Sequence, residues 1–216
     1  MLPRLLLLTD ATHAAGPLTF VVAGAIDRGV RAVVLREKHQ PYARRRALAA
    51  DLAALLAPVD GTLIVAGGPA GAGVPGGAAV PGGPVGAGPP RDPGWPAGGV
   101  HLAARDPFPG PRPALVGRSC HDAAEVARAA AEGCDYVTVS PIYPTASKPG
   151  YGPALGPSGL ASLCGQVPVF ALGGVLPEHV ADCRRAGAYG VAVMGPAMRD
   201  PAIVAAYLAA LAEVPA

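Results

Sequence analysis

Eight short segments with aliphatic, largely β-branched centres recur along this chain, most of them separated by helical stretches, and that alternation restricts the fold more than any single motif. They are residues 4–9, 31–36, 62–66, 99–102, 114–118, 136–139, 168–172 and 189–194. The centres carry no charge on either face, as in parallel strands covered on both sides. Between the first two, Leu18, Val21, Val22, Ala25 and Ile26 fall at helical spacing over 17–29, and Gly29 suits a C-cap. Residues 42–57 predict a second helix, with Arg44-Arg45-Arg46 on its solvated face. Further helices are expected over 122–132, 158–163, 177–186 and 201–212, the first with Asp122 near its start and Gly133 at its end. Eight strands alternating with helices in 216 residues predict one α/β domain, a (β/α)8 TIM barrel over 1–216, in preference to an open sheet.

One stretch breaks the alternation. Residues 67–99 are about two-thirds glycine and proline, with Trp95 the only large apolar side chain. Such a segment buries too little surface to offset its ordering entropy, so a flexible loop after strand three is expected. It is not a phosphate loop, because no Gly-Lys-Ser/Thr follows its glycines.

Composition narrows the function. A net charge of +2, evenly spread, argues against a nucleic-acid partner. Cys120, Cys134, Cys164 and Cys183 make no Cys-x-x-Cys pair and no zinc spacing, and read as small buried residues of a reducing cytoplasm. Leu5 to Leu8 is too short for a signal-peptide core and is closed by Thr9-Asp10, and no run approaches membrane-spanning length. The expectation is a cytoplasmic protein without a membrane partner. The sequence does not decide the oligomeric state, and a homodimer is compatible with it.

In parallel α/β proteins, ligands bind beyond the C-terminal ends of the strands. After strand six stand Ser140, Thr145, Ser147 and Lys148, in a loop kept irregular by Pro141, Pro144 and Pro149. After strand two come Arg36, Glu37 and Lys38, and the 117–121 segment at strand five ends in Ser119, Cys120 and His121. An imidazole there can move protons near neutral pH. A structural histidine is the competing reading, and it applies equally to His101; His13, His39 and His179 are expected at the surface. Strands seven and eight end in Gly173-Gly174 and Met194-Gly195, where backbone N–H groups can approach an anion closely. Asp10 and Asp106 are candidate magnesium ligands, although lone aspartates after strands more often cap a turn.

Taken together, the motifs Leu7-Leu8-Thr9-Asp10, Leu35-Arg36-Glu37-Lys38, Gly99-Val100-His101-Leu102, Gly117-Arg118-Ser119, Ser140-Pro-Ile-Tyr-Pro-Thr-Ala-Ser-Lys148, Leu172-Gly-Gly-Val175 and Val191-Ala-Val-Met194 resemble the thiamine phosphate synthase/TenI superfamily of barrels. The resemblance runs nearly end to end and implies an enzyme of thiamin biosynthesis acting on a small phosphorylated thiazole. Two activities are implied. The synthase joins a pyrimidine diphosphate to a thiazole phosphate and expels pyrophosphate with magnesium. The TenI-like tautomerase isomerises a carboxylated thiazole phosphate and needs no cofactor.

Departures from the synthase pattern favour the tautomerase at this stage. Val34 stands where synthases usually have glutamine, and Ala66-Gly67-Gly68 stands where they usually read Asn-Asp-Arg, leaving Asp106 at about the second metal position. The resemblance then implies His121 as the proton shuttle and Gly173, Gly174 and Gly195, beside Met194, as the phosphate anchor. Thr145, Ser147 and Lys148 would line the site, and Arg36 would meet the substrate carboxylate. In the synthase alternative, Arg36, Lys38, Ser119 and Lys148 would face the pyrophosphate and Asp106 would hold magnesium. A third alternative is a catalytically silent barrel that binds thiazole or thiamin phosphates for regulation.

Overall fold

The computed structural model describes residues 2–67, 97–145 and 153–214. Strands β1 (Leu5–Leu8), β2 (Ala32–Leu35), β3 (Thr62–Ala66), β4 (Gly99–Leu102), β5 (Val116–Cys120), β6 (Tyr136–Val139), β7 (Val169–Ala171) and β8 (Gly190–Val193) form a closed parallel barrel in sequence order. Closure comes from β1, which pairs with β2 at Leu7–Val33 and with β8 at Leu7–Val193. The helices are α1 (Leu18–Asp27), α2 (Tyr42–Leu56), α3 (Ala123–Ala131), α4 (Gly156–Ala161), α5 (Val180–Arg185), α6 (Gly195–Arg199) and α7 (Val204–Glu213).

Alternation along each strand divides the core in two. Outward residues such as Leu7, Val33, Leu35, Val137 and Val191 pack beneath the helices with Val22, Leu52 and Tyr207. Inward residues Leu6, Leu8, Ala32, Val34, Ile64, Ala66, Tyr136, Phe170 and Ala192 fill the barrel itself. Both sets leave water almost completely, which is why the strands read as unbroken apolar runs. Tyr136 takes the largest share of the interior, and Gly117 makes room for it: a Cβ there would lie 2.0 Å from the tyrosine Cζ.

The expected elements are present, with instructive differences. Strand β5 lies two residues later than the expected 114–118, because Gly117 and Ser119 face the packed interior and belong to the ladder with Tyr136 and Thr138. The 177–186 and 201–212 helices each begin with a three-residue 3-10 turn, at Pro177–His179 and Pro201–Ile203. Asp122 caps α3 as expected, its carboxylate accepting the Glu125 N–H. The short α6 was not anticipated. Most of the 67–99 stretch falls outside the described residues; its end at Gly99 already belongs to β4. No helix joins β4 to β5; instead the fully buried Arg118 donates to the carbonyls of Ala103, Ala104 and Asp106 at 3.0, 3.1 and 2.7 Å and pairs with Glu132 at 2.6 Å.

The arginine triplet corrects the expectation of a solvated face. Arg44 and Arg46 are exposed, but Arg45 is buried and donates to the Ala66 carbonyl at 2.8 Å, tying α2 to the end of β3. Among the described residues no helix is long and apolar enough to cross a membrane. The four cysteines are free, and Cys120, Cys134 and Cys183 are buried as expected.

Candidate active site

The strands' C-terminal ends open into one mouth, and inward parity decides which side chains reach it. On β4 the inward residue is His101, on β5 Ser119, and on β6 Tyr136 and then Thr138. His101 stacks on Tyr136 with ring centroids 5.5 Å apart, its Nδ1 lying 3.0 Å from the tyrosine Oη and its Nε2 2.9 Å from Ser119 Oγ. Burial pushes the His101 imidazole down to about 3, and the cations of Lys38, Arg36 and Arg118 push in the same direction. It is therefore neutral in the working range. Of the two readings left open for His101, the geometry shows a buried, neutral imidazole bonded to Tyr136 and Ser119.

The β1 and β2 ends are bound together. Thr9 Oγ1 accepts the Arg36 N–H at 2.9 Å and donates to the buried Glu37 carboxylate at 2.9 Å, which also accepts the Ala11 N–H at 3.1 Å. Glu37 is thus turned into the scaffold, while its neighbours face the mouth. Arg36 Nη1 lies 3.2 Å from Met194 Sδ and 3.8 Å from Asp10 Oδ2. Lys38 runs beside Gly67, where an added Cβ would come within 3.3 Å of the lysine Cε. The two cations thus leave β2 in different directions, Arg36 toward the β1 and β8 ends and Lys38 toward the β3 end, and both lie close enough to His101 to act on it.

The β7–β8 arc works through backbone. Gly173 and Gly174 both have positive φ, 87° and 66°, and a Cβ at Gly174 would lie 2.4 Å from the Pro144 carbonyl oxygen. The Tyr143 N–H donates to the Gly173 carbonyl at 2.9 Å, which fastens the loop after β6 to the loop after β7. Among the described residues, neither the Gly173 nor the Gly174 N–H has a backbone acceptor. Gly195 begins α6, and Met194 immediately precedes it. His179, expected at the surface, instead stacks on Tyr143 at 4.0 Å, with Nδ1 3.2 Å from the Gly174 carbonyl.

His121 follows β5 directly and is half-buried at the rim. Its Nδ1 lies 2.7 Å from the Ser140 carbonyl, so Nδ1–H is the donor there, and its amide is held by Glu125 at 2.7 Å. Thr145 is the last described residue of the loop after β6; Ser147 and Lys148 lie outside the described residues. Asp106 accepts the Ala103 N–H at 2.8 Å, the turn-capping arrangement. Hydrogen bonds from Thr12 and then His13 outweigh burial and hold Asp10 below the usual carboxylate range. Among the described residues no three His, Cys, Asp or Glu side chains gather as metal ligands. With both aspartates already engaged, these residues do not by themselves assemble a magnesium site, and no chemical step is assigned to one.

This geometry agrees with the chain's similarities. A family model described as thiamine monophosphate synthase (TMP-TENI) matches residues 5–196. A protein of Geobacter sulfurreducens named "Putative thiamine-phosphate synthase" is 35% identical over 208 residues, covering 91% of this chain and 87% of that protein. The thiamine-phosphate synthase of Methanoregula boonei is 40% identical over 118 residues, or 51% of this chain, and the match spans only 55% of that relative's length. Among solved structures, the thiamine phosphate pyrophosphorylase from Pyrococcus furiosus superposes with a TM-score of 0.77 over 97% of this chain and 96% of that one, at 21% identity, a likeness of fold. The chain belongs to the thiamine monophosphate synthase family.

Proposed function

We propose that this chain is a thiamine phosphate synthase, joining a pyrimidine diphosphate to a thiazole phosphate with release of pyrophosphate. This reverses the preference for the tautomerase that the loss of the Asn-Asp pair suggested. The carrying observation is that cations and backbone amides both border the mouth: Lys38 lies beside Gly67 after β3, Arg36 reaches from β2 to Met194 after β8, and the Gly173 and Gly174 N–H groups follow β7. A tautomerase substrate offers one phosphate and one carboxylate, whereas a synthase must hold a diphosphate as well as a phosphate, and two cations beside His101 suit the larger charge. The names of the relatives agree with this reading.

In the reaction, the bond from the pyrimidine carbon to the diphosphate oxygen breaks as the bond to the thiazole forms, and negative charge collects on the departing pyrophosphate. The half-buried Arg36 and the exposed Lys38 meet that charge as cations. The Gly173 and Gly174 amides hold the thiazole phosphate, with Gly195 at the adjacent β8 end. Ser119 on β5 and Thr145 after β6 lie between them in strand order. Magnesium, which this chemistry ordinarily uses, would be held by one or two carboxylates together with water and substrate phosphate oxygens, and would offset the charge of the leaving pyrophosphate.

The TenI-like isomerisation has one specific feature in its favour: His121, held by Nδ1 against the Ser140 carbonyl, places an imidazole at the rim where an acid–base group would act. Mass spectrometry of the purified protein with hydroxymethylpyrimidine diphosphate, thiazole phosphate and magnesium separates the two. Thiamine phosphate and pyrophosphate in equal amounts are expected. No thiamine phosphate, together with conversion of the carboxylated thiazole phosphate, would replace the synthase by the tautomerase.

A further inference from the structure

We infer that Tyr136 and His101 act as positioning residues in a hydrogen-bond relay of fixed direction, which makes the Ser119 hydroxyl a donor aimed at an acceptor atom of the bound heterocyclic substrate. The inference deepens the synthase reading and rests on it only for the identity of that substrate.

The direction follows from counting donors and acceptors. The Tyr136 ring is fully buried, edge-on to Phe170 at 5.5 Å and stacked on His101. Burial raises its phenol far above the usual range, so Oη keeps its proton. Among the described residues the only partner of Oη is His101 Nδ1, at 3.0 Å. A buried hydroxyl whose proton finds no acceptor is penalised, so the phenol donates and Nδ1 accepts. A neutral imidazole carries a single proton, which must then sit on Nε2. Nε2–H donates to Ser119 Oγ at 2.9 Å. The serine proton is thereby turned away from His101 and needs an acceptor in the mouth. Reversing the chain would have Ser119 donate to Nε2 and Nδ1–H donate to the tyrosine, leaving the phenolic proton without an acceptor. Gly117 is part of the device, because any side chain there would displace the Tyr136 ring.

The test uses the full chain with 15N-labelled histidine. Two-dimensional NMR through the long-range imidazole couplings reads the His101 tautomer without any turnover. The expected result is a single proton on Nε2 in the parent, and loss of that single tautomer in Tyr136→Phe, which keeps the ring and removes only the hydroxyl. A proton on Nδ1, or on both nitrogens, in the parent overturns the relay. In the synthase assay, Tyr136→Phe should lower kcat by roughly tenfold, equivalent to the loss of about one hydrogen bond in the transition state. On a Ser119→Ala background the same change should have no further effect. Equal losses in both backgrounds would mean that Tyr136 matters only for packing, which also overturns the relay. A parent protein that makes no thiamine phosphate would refute the proposed function while leaving the tautomer measurement decisive for the relay.

Discussion

In the proposed synthase, the two sides of the barrel mouth would meet their ligands by different means. On the β2–β5 side the chemistry would be carried by side chains, Arg36, Lys38, His101 and Ser119, with Arg36 held against Met194 and His101 against Ser119. On the β7–β8 arc it would be carried by backbone amides, made accessible because Gly173 and Gly174 have no side chains and adopt positive φ. The first arrangement is adjustable by substitution, since changing a head group leaves the barrel intact. The second is not, since the amides are placed by the same close packing that holds two loops together. The backbone arc should therefore fail through structure and the side-chain arc through chemistry.

Gly174→Ala should show the largest effect. Its φ of 66° is costly for alanine and its Cβ would overlap the Pro144 and Tyr143 carbonyl oxygens. Strain and overlap together should remove about 2–5 kcal/mol of stability, with loss of thiazole phosphate binding. Thermal unfolding with and without thiazole phosphate measures both. An alanine variant as stable as the parent would contradict the packing argument. Arg36→Ala is next: kcat/KM for the synthase reaction should fall by roughly 100- to 1000-fold, while the melting temperature stays near that of the parent. A comparable drop in melting temperature would move Arg36 from the chemistry to the scaffold. His121→Ala should cost less than about tenfold in thiamine phosphate formation, below the ordinary contribution of a general acid or base. Abolished activity would show that the rim histidine takes part in the synthase reaction.

The legibility of these two arcs in the sequence differs as well. The glycine-terminated strands were readable because Gly-Gly after an apolar run is a local signal, and the eight-strand barrel was readable because its apolar segments are contiguous. The side-chain arc was only half readable. Arg36 and Lys38 announced themselves as charges at a strand end, but Glu37 between them is buried in the scaffold by Thr9 and Ala11, residues from another strand's end. His101, Ser119 and Tyr136 are 18 and 35 residues apart, and their contact depends on strand register, which the expected 114–118 bounds for β5 missed by two residues. Parity would have found them: Gly117 and Ser119 are two apart, as are Tyr136 and Thr138, and each pair shares the inward face. Arg45 shares the helical spacing of Ala49, Leu52 and Leu56, which would have placed it on the buried face apart from Arg44 and Arg46; only its partner, a carbonyl at the end of β3, was not readable.

The smallest expected effect is on pH dependence. His101 has a folded value of about 3 against 6.5 when unperturbed, so between these limits the unfolded chain takes up a proton that the folded one refuses. Its contribution to stability is fully present above about pH 6.5 and declines as the pH falls toward 3, a change on the order of a few kcal/mol at the acid end. Carboxylates titrate with the same sign, so the informative quantity is the difference from His101→Asn, whose stability should fall less steeply over this window in denaturant titrations. Identical slopes would mean that His101 is not held neutral.

The central claim, that the two arcs serve two different substrates, is tested most directly by calorimetric binding of each substrate separately to Arg36→Ala protein. The account predicts that affinity for the pyrimidine diphosphate falls by roughly 10- to 100-fold, as expected for a lost charge-assisted contact, while affinity for the thiazole phosphate matches that of the parent. Equal weakening of both, or of thiazole phosphate alone, would contradict it and return the mouth to a single anion site.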